Sequence, residues 1–405
     1  MTAVETYGET PPTWWTGTLG ELCALGGGEI QTGPFGSQLH ASAYVPVGVP
    51  TIMPVNIGDN RVIERGVARI TEADADRLSR HRCQPGDIVY SRRGDVERRA
   101  LIRGHERGWL CGTGCLRVRV GDGGADPRYV SFMLGHPRVR AWITQHAVGA
   151  TMANLNTAIL SAVPAALPPI EDQRAIADVL EALDDKVESN RRLGDAIGMM
   201  LDAEFLNATA GLDDAPAASA LVVEMGSPFS GALFSDPGNG RPLIRIRDLK
   251  TFEPQVWTTE RRSDEHVVTA GDVLVGMDAE FRSSLWMSTP GVLNQRVCRF
   301  RPKEGVARAF ALLAIRPDLA LFERAKSGTT VIHLNKSDIG RFTVPHLSAE
   351  QHRRYSDATE PLVSRWVSGN LESSSLTELR DTLLPELLSG RLRVPVAEEL
   401  VEAGT

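Results

Sequence analysis

No run of apolar residues in this 405-residue chain approaches the ~20 that a membrane-crossing helix requires. The opening residues, MTAVETYGETPP, lack the basic and apolar segments of a secretory leader. A soluble, cytoplasmic protein without a membrane partner is expected. Cysteine is sparse and odd in number: Cys23, Cys83, Cys111, Cys115 and Cys298. Only Cys111 and Cys115 are close, and a structural zinc would need two more ligands at similar spacing, which the sequence does not offer. No metal is expected. The phosphate loop G-x-x-x-x-G-K-[ST], the zinc motif H-E-x-x-H and the nucleophile elbow G-x-S-x-G are all missing. So is the Asn/Asp-Pro-Pro-Tyr/Phe motif of amino-methyltransferases, and none of the nine histidines stands at metal-ligand spacing from another. Pro317-Asp318 with Glu323 and Lys326 faintly suggests a nuclease carboxylate–lysine set, but the Glu-x-x-Lys spacing is wrong for it. The chain reads as a binder or scaffold rather than an enzyme.

Apolar residues at 42% and charged residues at 23% are those of an ordinary globular protein, long enough for two or three domains. Lysine is nearly absent: 5 against 39 arginines. Arginine suits bidentate contacts to phosphates and bases, although codon bias in a GC-rich genome produces the same excess. The net charge of −7 argues against nucleic acid until it is divided along the chain. Residues 17–165 carry +4 and 216–345 carry +3, whereas 166–215 carry −8 and 346–405 carry −4. Two mildly basic blocks thus alternate with two acidic ones. The basic blocks are candidate phosphate-facing surfaces, or a chance of composition.

The chain is written twice. Gly149-Ala150-Thr151 leads to Leu155-Asn156, a Pro168-Pro169 stop and a helical pattern with Gln173. Gly328-Thr329-Thr330 leads to Leu334-Asn335, Val344-Pro345 and a second helical pattern with Gln351. The Leu-Asn pairs lie 179 residues apart and the glutamines 178. Earlier in each copy, Pro34-Phe35-Gly36-Ser37 is echoed by Pro228-Phe229-Ser230-Gly231, residues 50–57 by 242–249, and Pro85-Gly86-Asp87 by Ala270-Gly271-Asp272. A collinear recurrence of this length is a duplicated domain, not a solenoid. Each copy opens β-rich. Runs at 51–55, 88–91 and 116–120 read as strands, the last alternating apolar residues with Arg117 and Arg119 as a half-exposed strand should. Asp126-Pro127 starts one helix and Pro137 another.

From 171 to 205, Ile176, Leu180, Leu183, Val187, Gly194, Ile197, Leu201 and Phe205 keep the alternating 3–4 spacing of a packing seam. Asn190 interrupts it, either fixing register or facing solvent. In the last block Leu376, Leu379, Leu383 and Leu387 repeat the pattern, with Leu362 and Trp366 upstream, Pro361 as a kink or start and Ser389-Gly390 as the stop. A helix of about 35 residues, roughly 50 Å long, cannot stand alone in water with one apolar face. Its simplest partner is its repeat mate. The fold class expected is α+β: two β-rich lobes related by internal repeat, with two long antiparallel helices as a coiled-coil spacer.

That organisation resembles the specificity (S) subunits of type I restriction–modification systems. Thr32-Gly33-Pro34-Phe35-Gly36-Ser37, residues 85–89, Leu155-Asn156 with Pro168-Pro169-x-x-x-Gln173, and their second-copy equivalents carry the resemblance across essentially the whole chain. The second copy departs from it: it lacks the Gly-Ser order after Phe229 and the double proline before its helix. The resemblance implies an N-terminal arm (1–16), a target-recognition domain (17–168), a spacer helix (169–212), a second target-recognition domain (213–346), a second spacer helix (347–392) and a tail (393–405). It implies that each lobe reads half of a bipartite sequence in double-stranded DNA and that the helices set the gap and dock two methyltransferase subunits. S-adenosylmethionine, ATP and Mg would be bound by partner subunits, including motor–nuclease restriction subunits, and no cofactor by this chain. A standalone two-lobe interaction protein that recruits another partner is the alternative, and a fused enzyme a third.

The candidate DNA contacts are Gly33, Phe35, Gly36, Ser37, Arg92, Arg93, Arg98 and Arg99 in the first copy, and Arg245, Arg247 and Arg282 in the second. Arg245 and Arg247 alternate as if on one strand face. Arginines flanking a turn are equally a solvated hairpin end. Thr151, Thr329 and Thr330 either hold phosphate or shape the turn. Ile176, Leu180, Leu183, Val187, Leu376, Leu379 and Leu383 form the helix seam. Trp366, like Trp14 and Trp15, is either a docking group or core.

Overall fold

The computed structural model describes residues 6–8, 10–149, 153–278, 281–325 and 333–404. It divides into two compact units: residues 1–185 with 376–405, and residues 186–375. Each of the two long helices, Ile170–Thr209 and Ala349–Leu388, gives one half to each unit.

Both units are built on one plan. In the first, Gly27–Thr32, Cys115–Gly121, Ile88–Ser91 and Arg99–Leu101 lie side by side in that order, with Asp59–Asn60 at the edge. In the second, Leu221–Met225, Val297–Pro302, Val273–Gly276 and Ser283–Leu285 take the same order. The register matches as well: Val89 lies opposite Arg117, and Leu274 opposite Arg299. Each unit has a second sheet, of three strands in the first and five in the second. It holds Tyr44–Ile52 parallel to Leu110–Cys111 in one unit and Arg241–Ile244 parallel to Gly291–Leu293 in the other. Two helices follow, Pro127–Leu134 and Pro137–His146, matched by Arg308–Ala314 and Arg316–Ala325. Each plan is closed by a clasp of two short antiparallel strands just before the long helix: Trp15–Thr18 on Pro164–Leu167, and Asp214–Pro216 on Thr343–Pro345.

The echoed motifs have identifiable work. Asp87 and Asp272 each accept a hydrogen bond from the backbone three residues back (Gln84 N 2.7 Å, Thr269 N 2.8 Å). Gly86 and Gly271 turn the chain between at φ +92° and +94°, where only glycine is comfortable. Asn156 and Asn335 are N-caps of short helices, and Leu155 and Leu334 before them are buried. The side chain of Gln173 donates to Pro168 O (2.8 Å) and accepts from Asp126 N (2.9 Å), fixing the start of the long helix to the start of Pro127–Leu134.

Two expectations are corrected and a third is narrowed. Cys115–Gly121 is not half-exposed: Arg117 is 2% exposed, held by Glu29 (2.7 Å), Gln31 (2.9 Å) and the carbonyls of Arg80 and Arg82. Strand pairing in the second copy stops at Ile244, because Asp248 accepts from Arg245 N (2.8 Å) and bends the chain into a turn. Of the two readings of Pro361, kink or start, the start is excluded, since Ala349–Leu388 runs through it. Gly390 is the stop, at φ +73°.

The seam expected of the long helices is present within each unit. Leu180, Leu183, Ile197, Leu201, Val363, Leu376, Leu383 and Leu387 are buried. In the second unit Asn190 lies opposite Glu372 and Ser373, Gly194 opposite Trp366, and Phe205 near Tyr355, an antiparallel progression. Asn190 is therefore in the seam. In the first unit Arg380 reaches Asp184 (2.7 Å). The acidic face of the first helix also binds its own lobe, through Arg103 to Glu181 (2.8 Å), Arg128 to Asp178 (2.6 Å) and Arg61 to Asp185 (2.5 Å). All five cysteines are free and buried, and burial pushes the Cys23 thiol to about 11 and Cys298 to about 12. No helix among the described residues is long and apolar enough to cross a membrane.

Candidate nucleic-acid interface

The main sheet of the first unit ends on one side in three loops, which leave Thr32, leave Ser91 and enter Cys115. Backbone hydrogen bonds tie them together. Gly33 N donates to Cys115 O (2.9 Å) and Arg92 N to Gly114 O (2.8 Å). A Cβ on Gly33 would stand 2.1 Å from Gly112 O, so the residue must be glycine for the first and third loops to meet. The stretch leading to Leu155 joins the same cluster: Arg93 bridges to Asn154, Gly94 N donates to Ala153 O (3.2 Å) and Leu155 N to Arg92 O (2.8 Å).

Phe35, Gly36, Ser37, Arg93 and Arg98 are exposed on this end, and Arg92 is half-buried. Phe35, 56% exposed, stands on a turn closed by Gln38, whose side chain accepts from Phe35 N (2.9 Å). Among the described residues neither Arg92 nor Arg93 has an ion-pair partner, whereas Arg98 is paired with Asp95. Arg99 points inward. It is 5% exposed, and its Nε donates to Ser131 O (2.5 Å). Its neighbour Gly135 leaves room for the guanidinium: a Cβ there would lie 2.1 Å from Arg99 Nη2. Thr151, Thr329 and Thr330 lie outside the described residues.

The second unit repeats the loop cluster. Gly226 N donates to Val297 O (2.9 Å), a Cβ on Gly226 would stand 1.9 Å from Asn294 O, and Met277 N donates to Arg296 O (2.9 Å). Leu334 N donates to Met277 O (2.8 Å), and Asp278 bridges to His333. Arg282 is exposed on the hairpin of this cluster. Arg245 is half-buried beside Asp248, and Arg247 is exposed at the start of the helix Asp248–Thr251. Among the described residues Arg247 and Arg282 have no ion-pair partner. Sequence reasoning passed over Arg296, Asp278 and His333, which lie close together on this end. Only the alignment of Arg93 with Asp278 through the repeat could have drawn attention to them.

The strand arginines are occupied elsewhere. Arg119 makes two hydrogen bonds to Asp87 (2.7 and 2.6 Å), and Arg299 donates to Glu224 (2.6 Å) and Asp272 (2.9 Å). Of the seam residues, Ile176, Leu180, Leu183, Leu376 and Leu383 are buried, and Val187 and Leu379 half-buried. Trp366 packs on Gly194, where a Cβ would stand 2.6 Å from its Nε1. The outward face of the first long helix exposes Met199, Met200 and Leu206.

Residues 11–198 match the family described as the type I restriction modification DNA specificity domain. The chain is 26% identical over 172 residues to the type I restriction enzyme EcoBI specificity subunit of Escherichia coli, covering 41% of this chain and 36% of that protein. It is 25% identical over 168 residues to the HindI specificity subunit of Haemophilus influenzae, covering 38% and 36%. The matched stretch thus spans little more than a third of these relatives. The crystal structure of a type I restriction–modification S subunit from M. genitalium superposes with a TM-score of 0.61 over 96% of this chain and 98% of that one, at 14% identity. The resemblance and the α+β fold expected from the sequence are both borne out.

Proposed function

We propose that this chain, which carries a type I restriction modification DNA specificity domain over residues 11–198, is the non-catalytic DNA-recognition subunit of a type I restriction–modification complex. Each unit is a target-recognition domain that meets one half of a bipartite duplex target with the loop end of its main sheet. The observation that supports this best is the duplication of that end. In both copies, loops tied by the same backbone hydrogen bonds display an exposed arginine that has no carboxylate partner among the described residues, Arg93 in one and Arg282 in the other; Arg247, likewise exposed, stands in the turn that follows Arg241–Ile244.

Phosphate contacts supply affinity and base-edge contacts supply selection. Arg92, Arg93, Arg247 and Arg282 are assigned to the first task, with the glycine loop Gly33, Gly36 and Ser37 bringing backbone N–H groups near the duplex and Phe35 its ring. Arg98, paired with Asp95, is a weaker candidate, and Arg99 belongs to the core. The stretches 17–168 and 213–346 form the two reading domains, and 169–212 and 347–392 the helices between them. Methyltransferase subunits dock on the helical pair, to which Met199, Met200 and Leu206 give an exposed apolar face. S-adenosylmethionine, ATP and Mg belong to the partner subunits, and the complex works in the cytoplasm.

Titration of duplex DNA with the full chain, alone and with a methyltransferase partner, tests this. Binding should weaken steeply with salt, and R92A/R93A and R247A/R282A should each lower the slope of log K against log salt by about one to two, as expected for one or two lost phosphate contacts. Absence of duplex binding even with the partner present would refute the proposal.

A further inference from the structure

On the shared scaffold, the two units place different side chains at matching points. Where the first has Arg93, bridged to Asn154, the second has Asp278, bridged to His333. Where the first has the small turn Gly112-Thr113-Gly114, the second has Asn294-Gln295-Arg296, and the turn carbonyl of Gly114 or Arg296 accepts from Arg92 N or Met277 N. The cation has therefore moved to a neighbouring loop of the same end, and it no longer stands alone. Arg296 Nη1 lies 3.5 Å from Asp278 Oδ1 and 3.4 Å from His333 Nδ1, while His333 Nδ1 lies 2.5 Å from Asp278 Oδ1. Arg296 remains half exposed.

We infer that Arg296, held beside Asp278, whose carboxylate accepts from His333 Nδ1, is the base-reading side chain of the second unit and selects guanine in its half-site. The inference rests on the DNA-recognition reading above. An arginine beside a carboxylate is a poor phosphate ligand, because the pair carries little net charge and the carboxylate repels the phosphate. The same carboxylate steadies the guanidinium, and among the described residues nothing occupies the other edge of the fork, which suits a neutral acceptor pair. The O6 and N7 atoms of guanine present that pair in the major groove. Arg93, with no such anchor among the described residues, fits the opposite role of phosphate contact.

Selection from a duplex library, with the full chain and its methyltransferase partner, separates these roles. Wild type should enrich a two-part sequence. R296A and R296K should both lose guanine at one position of one half, by about tenfold or more, leaving the other half unchanged. Neither should alter the salt slope, whereas a lost phosphate contact would lower it by about one. R296K is the decisive variant, since it keeps the charge and loses the fork. D278N should blur the same position without abolishing binding. Thermal melting should show all variants folded; if R296A is not, R296K and D278N carry the test alone. Retention of the guanine by R296K, or a reduced salt slope, overturns the inference. A wild-type complex that enriches no sequence refutes the DNA-recognition reading, and this inference with it.

Discussion

Gly33 and Gly226 lie so close to the turn that enters an interior strand of their sheet that any Cβ would sit 2.1 and 1.9 Å from a carbonyl oxygen, far inside van der Waals contact. G33A and G226A should therefore each cost more than about 2 kcal/mol, the range reserved for forced clashes in packed sites. Denaturant titration would measure it, and a near-neutral result for either would mean the loops have room to part. Two histidines of the first unit set an acid limit. Burial, with Arg138 and Arg391 nearby, lowers His136 to about 4, and burial, with Arg80 and Arg117, lowers His81 to about 4. Both stay neutral in the fold, while the unfolded chain takes up protons first, near pH 6.5. Stability is then full above about pH 6.5 and falls as the pH drops towards 4, by on the order of 1–3 kcal/mol per histidine. His136 Nδ1 also accepts from Arg138 N (3.2 Å) at the start of Pro137–His146. H136N keeps a capping side chain and should remove about half of that acid loss; an unchanged pH profile would contradict it.

Among the elements, the long helices show most plainly what patterning can reveal. Their 3–4 apolar spacing gave both their extent and their inward faces, since a stripe of that period has one physical use in water. Asn190 could not be resolved that way, because a polar residue in a seam and one on its flank look alike in sequence. Its amide donates to the Glu372 carboxylate at 2.8 Å and lies 3.3 Å from Ser373 Oγ, and Lys186 joins the carboxylate at 3.1 Å. N190D should set two carboxylates against each other, lower the melting temperature of the second unit by several degrees at pH 7 (about 1–2 kcal/mol) and recover as the pH falls below about 4. No loss at pH 7 would show that the amide contributes little. The β-lobes were legible in their echoed turns, where Pro-Gly-Asp and Leu-Asn have local backbone duties that survive any loop change. Strand Cys115–Gly121 was misread because alternation of Val and Arg signals a half-wet strand only if no carboxylate waits on the neighbouring strands. Glu29, Gln31 and Asp87 supply the partners from elsewhere in the sequence. The Arg296–Asp278–His333 cluster was invisible for the same reason: its members are 18 and 55 residues apart.

For the molecule as a whole, charge divided along the chain pointed to basic lobes and acidic helices, and the structure gives the acidic half a second purpose. Asp178, Glu181, Asp184 and Asp185 are engaged by arginines of the first unit. Mean charge is therefore a poor guide to which arginines remain free for DNA, and the pairing pattern is a better one. In the proposed function, the duplicated loop ends select one two-part DNA sequence for a methyltransferase. Methylated-base sequencing of the producing strain, intact and with this chain deleted, tests it most directly. An interrupted adenine-methylated motif present in the intact strain and lost on deletion is the predicted result. Identical methylation in both strains would contradict the claim.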